Sequence, residues 1–324
     1  MLSITRGCLL GVAAKAGIHY TFSIMCRILL CLAFVATVLA PLDITGQTVG
    51  VPASLDRSDE SDLTAAVIVE RALARAADQD GSLIELGFAS VGESKVESLD
   101  GDGIVTKTET RRYLRYPLEG LLYDEVVEKD GNTLSDDEAR KELDRKDEFV
   151  EEARAHAARG EEYEPKEMDI GFDRELMERY ETSLVGSEVV RGHICWVINF
   201  EPRDGKLPDN RRMDKALNRS TGRLWISQDD YGVVRVAFEM QKPFRYLWGL
   251  AATLRHVDGQ LDFERVEAEF WAPVAFDLTL DFRVFFKGIR RRIQQRWTDY
   301  GSHERVVATV KPVVGFGVAF SNAP

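Results

Sequence analysis

The stretch Ser98 to Glu109, SLDGDGIVTKTE, has the most visible capacity for chemistry. Asp100, Asp102, Gly103 and Glu109 stand at positions three, five, six and twelve of a calcium-loop pattern. Position one is Ser98 rather than a carboxylate, and the flanks are β-rich where such a loop joins two helices. The Asp-Gly-Asp-Gly run therefore reads as the turn of a hairpin. His156, His193, His256 and His303 are far apart and in no metal-ligand pattern. GxSxG, HExxH and phosphate-loop patterns are absent from the sequence. Cys195 is the one cysteine after Gln47, which leaves no CxxC motif and no partner for a disulfide. In the apolar run HICWVINF it reads as a small core residue. Lys287, Arg290, Arg291, Arg292 and Arg296 form a basic stretch beside Trp297. On a strand, Arg290, Arg292 and Arg296 share a face with Gln294. That is the pattern of a solvated sheet face, with contact to anionic headgroups or an acidic partner as the functional alternative. No enzyme activity, cofactor or metal is expected.

Composition narrows the classes further. The 324 residues are 44% hydrophobic, and 54 acidic against 42 basic side chains leave a net charge of -12. Such a chain can build a core, which argues against disorder. Its acidity argues against a nucleic-acid partner. Residues 1–46 read as an export signal: Arg27 precedes the uncharged run Ile28–Ala40, too short for a comfortable bilayer span, and Met25 is an alternative start. Cys26 and Cys31 lie before and inside that run, so no lipobox follows it. The expectation is a soluble periplasmic protein, cleaved after Gly46 and not membrane-spanning after signal removal.

The elements come next. Residues 47–60 read as a linker, and 61–77 favour a helix with Leu63, Val67, Val69 and Leu73 on its apolar side. Strands are expected from Ser82 onward. Residues 135–182 form an acidic helical insertion, with 18 acids against 9 bases, opened by a Ser135/Glu138 capping box and closed by a short helix at 172–181. Its bland reading is a solvated helix, and its sharper one an acidic docking surface for a basic protein partner. From Leu184 to Tyr300 strands follow one another through short turns, a meander. Residues 61–300 are read as one curved-sheet domain and 301–324 as a tail or last strand. The acidic insertion also argues against a membrane barrel, whose strands run without such an interruption.

Val274, Phe276, Leu278, Leu280, Phe282, Val284 and Phe286 alternate without a break. An extended run of this length spans roughly 43 Å, and sheets of such strands coil on themselves. Val234, Val236, Phe238 and Met240 repeat the pattern. The fold class expected is α+β, mainly β: a strongly curved antiparallel sheet, a half-barrel, with a few short helices and an apolar concave face. That face is either a closed core or a partly covered wall whose remaining space an apolar ligand fills. In the second case Val236, Phe238, Phe276, Leu278, Leu280 and Phe282 line the site.

The stretches VESLDGDGIVTKTET, VVEKDGNTLSDDEARKE, FDRELMERYETSLVGSEVVRGH, GRLWISQDDYGVVRVAF and FWAPVAFDLTLDFRVFF with RWTDY resemble LolA/LolB-like, outer-membrane lipoprotein-sorting-like exported bacterial proteins. The resemblance implies a half-barrel of antiparallel strands over short helices, holding a lipid or lipoprotein acyl moiety in its concave face. It carries over no catalytic residue. The chain departs from such carriers in its length and in the acidic insertion.

Overall fold

The computed structural model describes residues 63–79, 82–160, 172, 174–209, 214–246, 252–267, 270–285 and 287–310. The expected signal, the linker and residues 311–324 lie outside the described residues.

Two hairpin systems meet in one open sheet. The first comprises β1 (Phe88–Leu99), β2 (Val105–Leu118), β3 (Leu121–Lys129) and the short β4 (Asn132–Thr133). The second comprises β5 (Tyr180–Val190), β6 (His193–Pro202), β7 (Ser220–Ser227), β8 (Val233–Met240), β9 (Phe244–Tyr246), β10 (Ala252–Val266), β11 (Phe270–Val284) and β12 (Lys287–Ser302). The order is β4-β3-β2-β1-β12-β11-β10-β8-β7-β6-β5, with β9 on β10. Neighbours are antiparallel throughout, as short turns require. One long-range pairing, β1 with β12, joins the two systems. The ladder does not close, so β4 and β5 are its ends. This is the mainly β, α+β architecture expected. Bulges at Val185, Val234 and the Asp262/Phe263 step interrupt the ladders, and each adds local twist.

The calcium-loop candidate is a hairpin. Asp100 Oδ1 accepts from the N–H groups of Asp102 and Ile104, both at 2.9 Å. The carboxylate thus closes the β1–β2 turn on itself.

Helices pack against the sheet or link its strands. In α1 (Ala65–Gln79) the buried side is Ala65, Ile68, Val69, Ala72 and Leu73, a true i, i+3, i+4, i+7 stripe. Val67, expected inside, is exposed. This stripe packs on Ile198, Phe200, Leu224 and Ile226 of β6 and β7. After α2 (Ser82–Glu85) the first strand starts only at Phe88, later than expected, because Leu83–Glu85 make a helical turn ended by Gly87 at φ +67°. The acidic helix is α3 (Asp136–Ala158). It is not wholly solvated: Phe149 joins Leu114, Tyr116 and Tyr123 in a small core, and Lys146 reaches Glu125 at 2.9 Å. The expected helix at 172–181 shrinks to α4 (Arg174–Met177), and Tyr180 already belongs to β5. Past α5 (Asp214–Leu217) and β12, where a tail or strand was expected, α6 (His303–Thr309) buries Val306 beside Ala89 and Val91.

One consequence concerns pH. The Glu138 carboxylate accepts from the Ser135 N–H at 3.2 Å and hydroxyl at 2.8 Å, and from Lys129 at 2.9 Å. Lys129 first, then Ser135, hold its pKa down from 4.5 to about 2. A depressed folded pKa contributes stability that is full above the unfolded value and is lost as pH falls through the folded one. The docking of the α3 start on β3 is therefore expected to loosen between pH 4.5 and about 2. Amide exchange at 136–139 should accelerate in that window, and Glu138→Gln should remove the pH dependence.

Candidate functional site

Register fixes which side chains share a face. Val96, Ile293, Leu278, Gly259 and Phe238 form one row across β1, β12, β11, β10 and β8. Phe276, Leu261 and Val236 form a parallel row two residues away, on the same face because strand periodicity is two. Gly259 is required by close approach: a Cβ there would stand 2.6 Å from Phe238 Cζ and 3.1 Å from Leu278 Cδ1. The glycine lets these two side chains meet above the strand that separates them.

The structure brings all six sequence-predicted lining residues onto this wall. Phe276, Leu278, Leu280 and Phe282 are buried, Leu280 at 0% exposure. Val236 and Phe238 are half-buried and bridge this cluster to the one under α1. Phe285, an intervening residue of the alternation, is 64% exposed at φ +51° where β11 ends, and Phe286 lies outside the described residues.

At β1, β2 and β12 the same face becomes polar and aromatic, and sequence reading missed this. Tyr113 and Trp297 flank Gly92, whose absent side chain makes room for the Tyr113 ring. Arg115, buried, stacks over both rings at 5.8 and 5.0 Å from their centroids. It forks onto Asp124 at 2.7 and 2.9 Å. Burial alone would lower the Arg115 pKa, but the Asp124 charge raises it. Burial pushes the Tyr113 hydroxyl up, so it stays protonated. Four buried polar atoms here have no aligned hydrogen bond: Ser90 Oγ, Tyr113 Oη, Gln295 Oε1 and Trp297 Nε1. The indole N–H lies against the Tyr113 hydroxyl, and Ser90 against Tyr300, near enough to affect their titration, without hydrogen-bond alignment. The signal that could have found the cluster is Gln295, set by period two between Ile293 and Trp297.

The opposite face is charged and self-neutralised. Arg296 grips Asp277 with two contacts of 2.9 Å, and Gln294 donates to the same carboxylate at 3.0 Å. Arg292 reaches Glu97 at 3.1 Å, and Arg290 reaches Asp281 at 3.3 Å. The Lys95 ammonium first, then Arg292, hold the Glu97 pKa down against its burial. Arg290, Arg292 and Arg296 of the basic stretch thus form an ion-pair ladder with the neighbouring strands, while Arg291 stands opposite Leu280 on the wall face. A groove of about 580 Å³ crosses this face between Arg223, Glu239, Asp258 and Arg292. A second, of about 350 Å³, lies between Lys95, Arg112 and Glu128. The first mixes these charges with Trp225, Ala237, Phe238 and Leu278, and the second is lined by charged and polar residues.

Cys195 is buried, and burial pushes its thiol up to about 11, which keeps it un-ionised and unreactive. Among the described residues no three His, Cys, Asp or Glu side chains gather as a metal site. Among them, too, no helix is long and apolar enough to cross a membrane.

No family model and no curated protein matches this chain. Among solved structures it is similar to a LolA superfamily protein from Nitrosomonas europaea, with 11% identity, 74% of this chain and 94% of that one covered, and a TM-score of 0.30. It is also similar to an outer membrane lipoprotein-sorting protein domain from Vibrio parahaemolyticus, with 11% identity, coverages of 72% and 91%, and a TM-score of 0.28. A third similar structure is the MucA/MucB complex of Pseudomonas aeruginosa, at 14% identity, coverages of 74% and 96%, and a TM-score of 0.21. Superpositions this loose carry no information about ligand or partner, so function rests on the geometry of this chain.

Proposed function

We propose that the protein is a non-catalytic, exported binding protein that holds a lipid or lipoprotein acyl moiety against the wall of Val236, Phe238, Phe276, Leu278, Leu280 and Phe282. Burial of each acyl CH₂ there contributes about 0.8 kcal/mol. The observation that supports a ligand over a closed core is the buried polar cluster bordering the wall, where Gln295 Oε1 has no hydrogen-bond partner and the Trp297 N–H and Tyr113 hydroxyl meet only each other, out of alignment. A core selected only for closure has no use for these groups, since a buried unpaired polar group costs about 1–3 kcal/mol. Beside an acyl chain they match its carbonyl: the Trp297 and Tyr113 hydrogens donate to it, and Gln295 Oε1 accepts from a neighbouring N–H or O–H. The near-complete burial of the wall favours a second reading, a closed-core interaction module of the envelope whose acidic helix α3 meets a basic partner. On that reading, charge reversal at Glu148, Glu151 and Glu152 weakens the partner.

Mass spectrometry of organic extracts separates the two. The mature chain, purified from a bacterial periplasm without detergent, is expected to carry stoichiometric acyl lipid. A folded protein that carries none and ignores added fatty acid would leave the interaction module. Tyr113→Phe adds a sharper check. It removes a buried hydroxyl that has no aligned hydrogen bond, so the urea midpoint should hold or rise, while displacement of a fluorescent fatty acid weakens. A structural hydroxyl would give the reverse, a loss of stability.

A further inference from the structure

The two ends of the sheet are protected in opposite ways. At one end β4 is two residues long, and helix α3 lies along β3 behind it. The Glu142 side chain of α3 accepts from the backbone N–H of Val126 at 3.0 Å, and Arg145 donates to the carbonyl of Asp124. These are side chains of a helix satisfying backbone groups of an edge strand, which blocks pairing there.

At the other end, among the described residues, no side chain caps the outer backbone of β5 in this way. It is 11 residues long, and its pattern is exposed from Ser183 to Val189. Among the described residues, only β6 hydrogen-bonds to the backbone of 181–189. Val185 is 55% exposed and Val189 72%, with Leu184 at 43% and Ile194 of β6 at 56% beside them. The strand contains no proline, lysine or arginine, the usual guards of a free edge. Its charges are Glu181 and Glu188, and Glu201 lies opposite Glu181 on β6.

We propose that β5 is a docking edge to which an extended segment of another protein, alternating basic and apolar residues, adds as a further strand. Main-chain hydrogen bonds along β5 would hold the segment, and the exposed valines and Leu184 would meet its apolar side chains. The carboxylates select the basic character. A second copy of this chain fits less well: with Leu184 opposite Val185 in an antiparallel self-pairing, Glu181 faces Glu188 twice, and each chain carries -12. The proposal is independent of the acyl reading, because β6 and β7 separate β5 from β8, the nearest strand of the wall.

The test is hydrogen exchange on the full mature chain with a synthetic peptide alternating valine and lysine. Exchange is expected to slow in 181–189 and not along β3. Fluorescence anisotropy should show binding weakened about tenfold by Val189→Lys with Leu184→Lys. Both positions are exposed, so folding should hold, and unchanged circular dichroism checks it. A glutamate-for-lysine peptide should bind about tenfold more weakly than the lysine peptide. Equal binding of the two peptides, unaltered binding by the lysine variants, or unprotected β5 amides would overturn the proposal. So would protection of β5 that grows with protein concentration in the absence of peptide, since that is self-association.

Discussion

Asp214→Ala is expected to lower unfolding stability by about 3–5 kcal/mol, read as a fall in the urea midpoint with little change in slope. Arg179 and Asp214 are each 1% exposed and meet at 3.0 Å. Arg179 also donates to the Pro208 carbonyl and the Asn218 amide oxygen, both at 3.2 Å. Removing the carboxylate leaves a buried guanidinium with two neutral acceptors and the exposed Glu175 carboxylate at 3.6 Å. The pair ties α4, which leads into the exposed edge strand, to α5 ahead of β7. Its loss should therefore loosen the β5 side of the sheet first, visible as faster exchange in 180–190. The paired replacement Arg179→Met with Asp214→Leu should recover much of the loss, because it removes both desolvated charges together. A drop below about 1 kcal/mol for Asp214→Ala would mean that water reaches the pair.

Leu280→Ala should cost about 2–5 kcal/mol, the sum of lost transfer energy and the cavity left behind. Leu280 is fully buried between Val257 of β10 and Arg291 of β12, and long paired strands on both sides limit collapse into the gap. Phe285→Ala, at the exposed turn beyond the same strand, should stay within about 0.5 kcal/mol. The acyl reading adds a second expectation. Delipidated Leu280→Ala should show the full loss, and palmitate should restore part of it by filling the enlarged space. No recovery with palmitate, alongside none in the wild type, would favour the closed core.

The wall was legible from residues 236–240 and 276–284 alone, because side chains two apart on an unbulged strand share a face; the bulges at Val234 and Val274 were not. The hairpin at Asp100–Gly103 was legible for a similar reason, since its turn chemistry is local. Helix α1 was legible in place but not in orientation. Its sequence offers Val67 and Val69 on different sides, and only contact with Ile198 and Leu224 decides that Ile68 goes inside. The short helices misled in both directions: 82–85 turns where a strand was expected, and 178–181 leaves the helix for β5. Propensity in such short runs yields to whichever strand pairing follows.

The basic stretch shows the limit most clearly. The sequence places Arg290, Arg292 and Arg296 on one face and says nothing of what they meet. The neutralising carboxylates sit on two other strands, and Glu97 is 195 residues from Arg292. Periodicity, charge and turn chemistry are properties of neighbours along the chain, so the sequence by itself determined the strands, their two faces and the long acidic helix. Register between strands distant in the chain, the choice of covered and uncovered edge, and the polar cluster around Tyr113 and Trp297 were decided only by the tertiary structure. They depend on the β1–β12 pairing, a contact whose free energy comes from bringing remote segments together and has no counterpart in any local pattern.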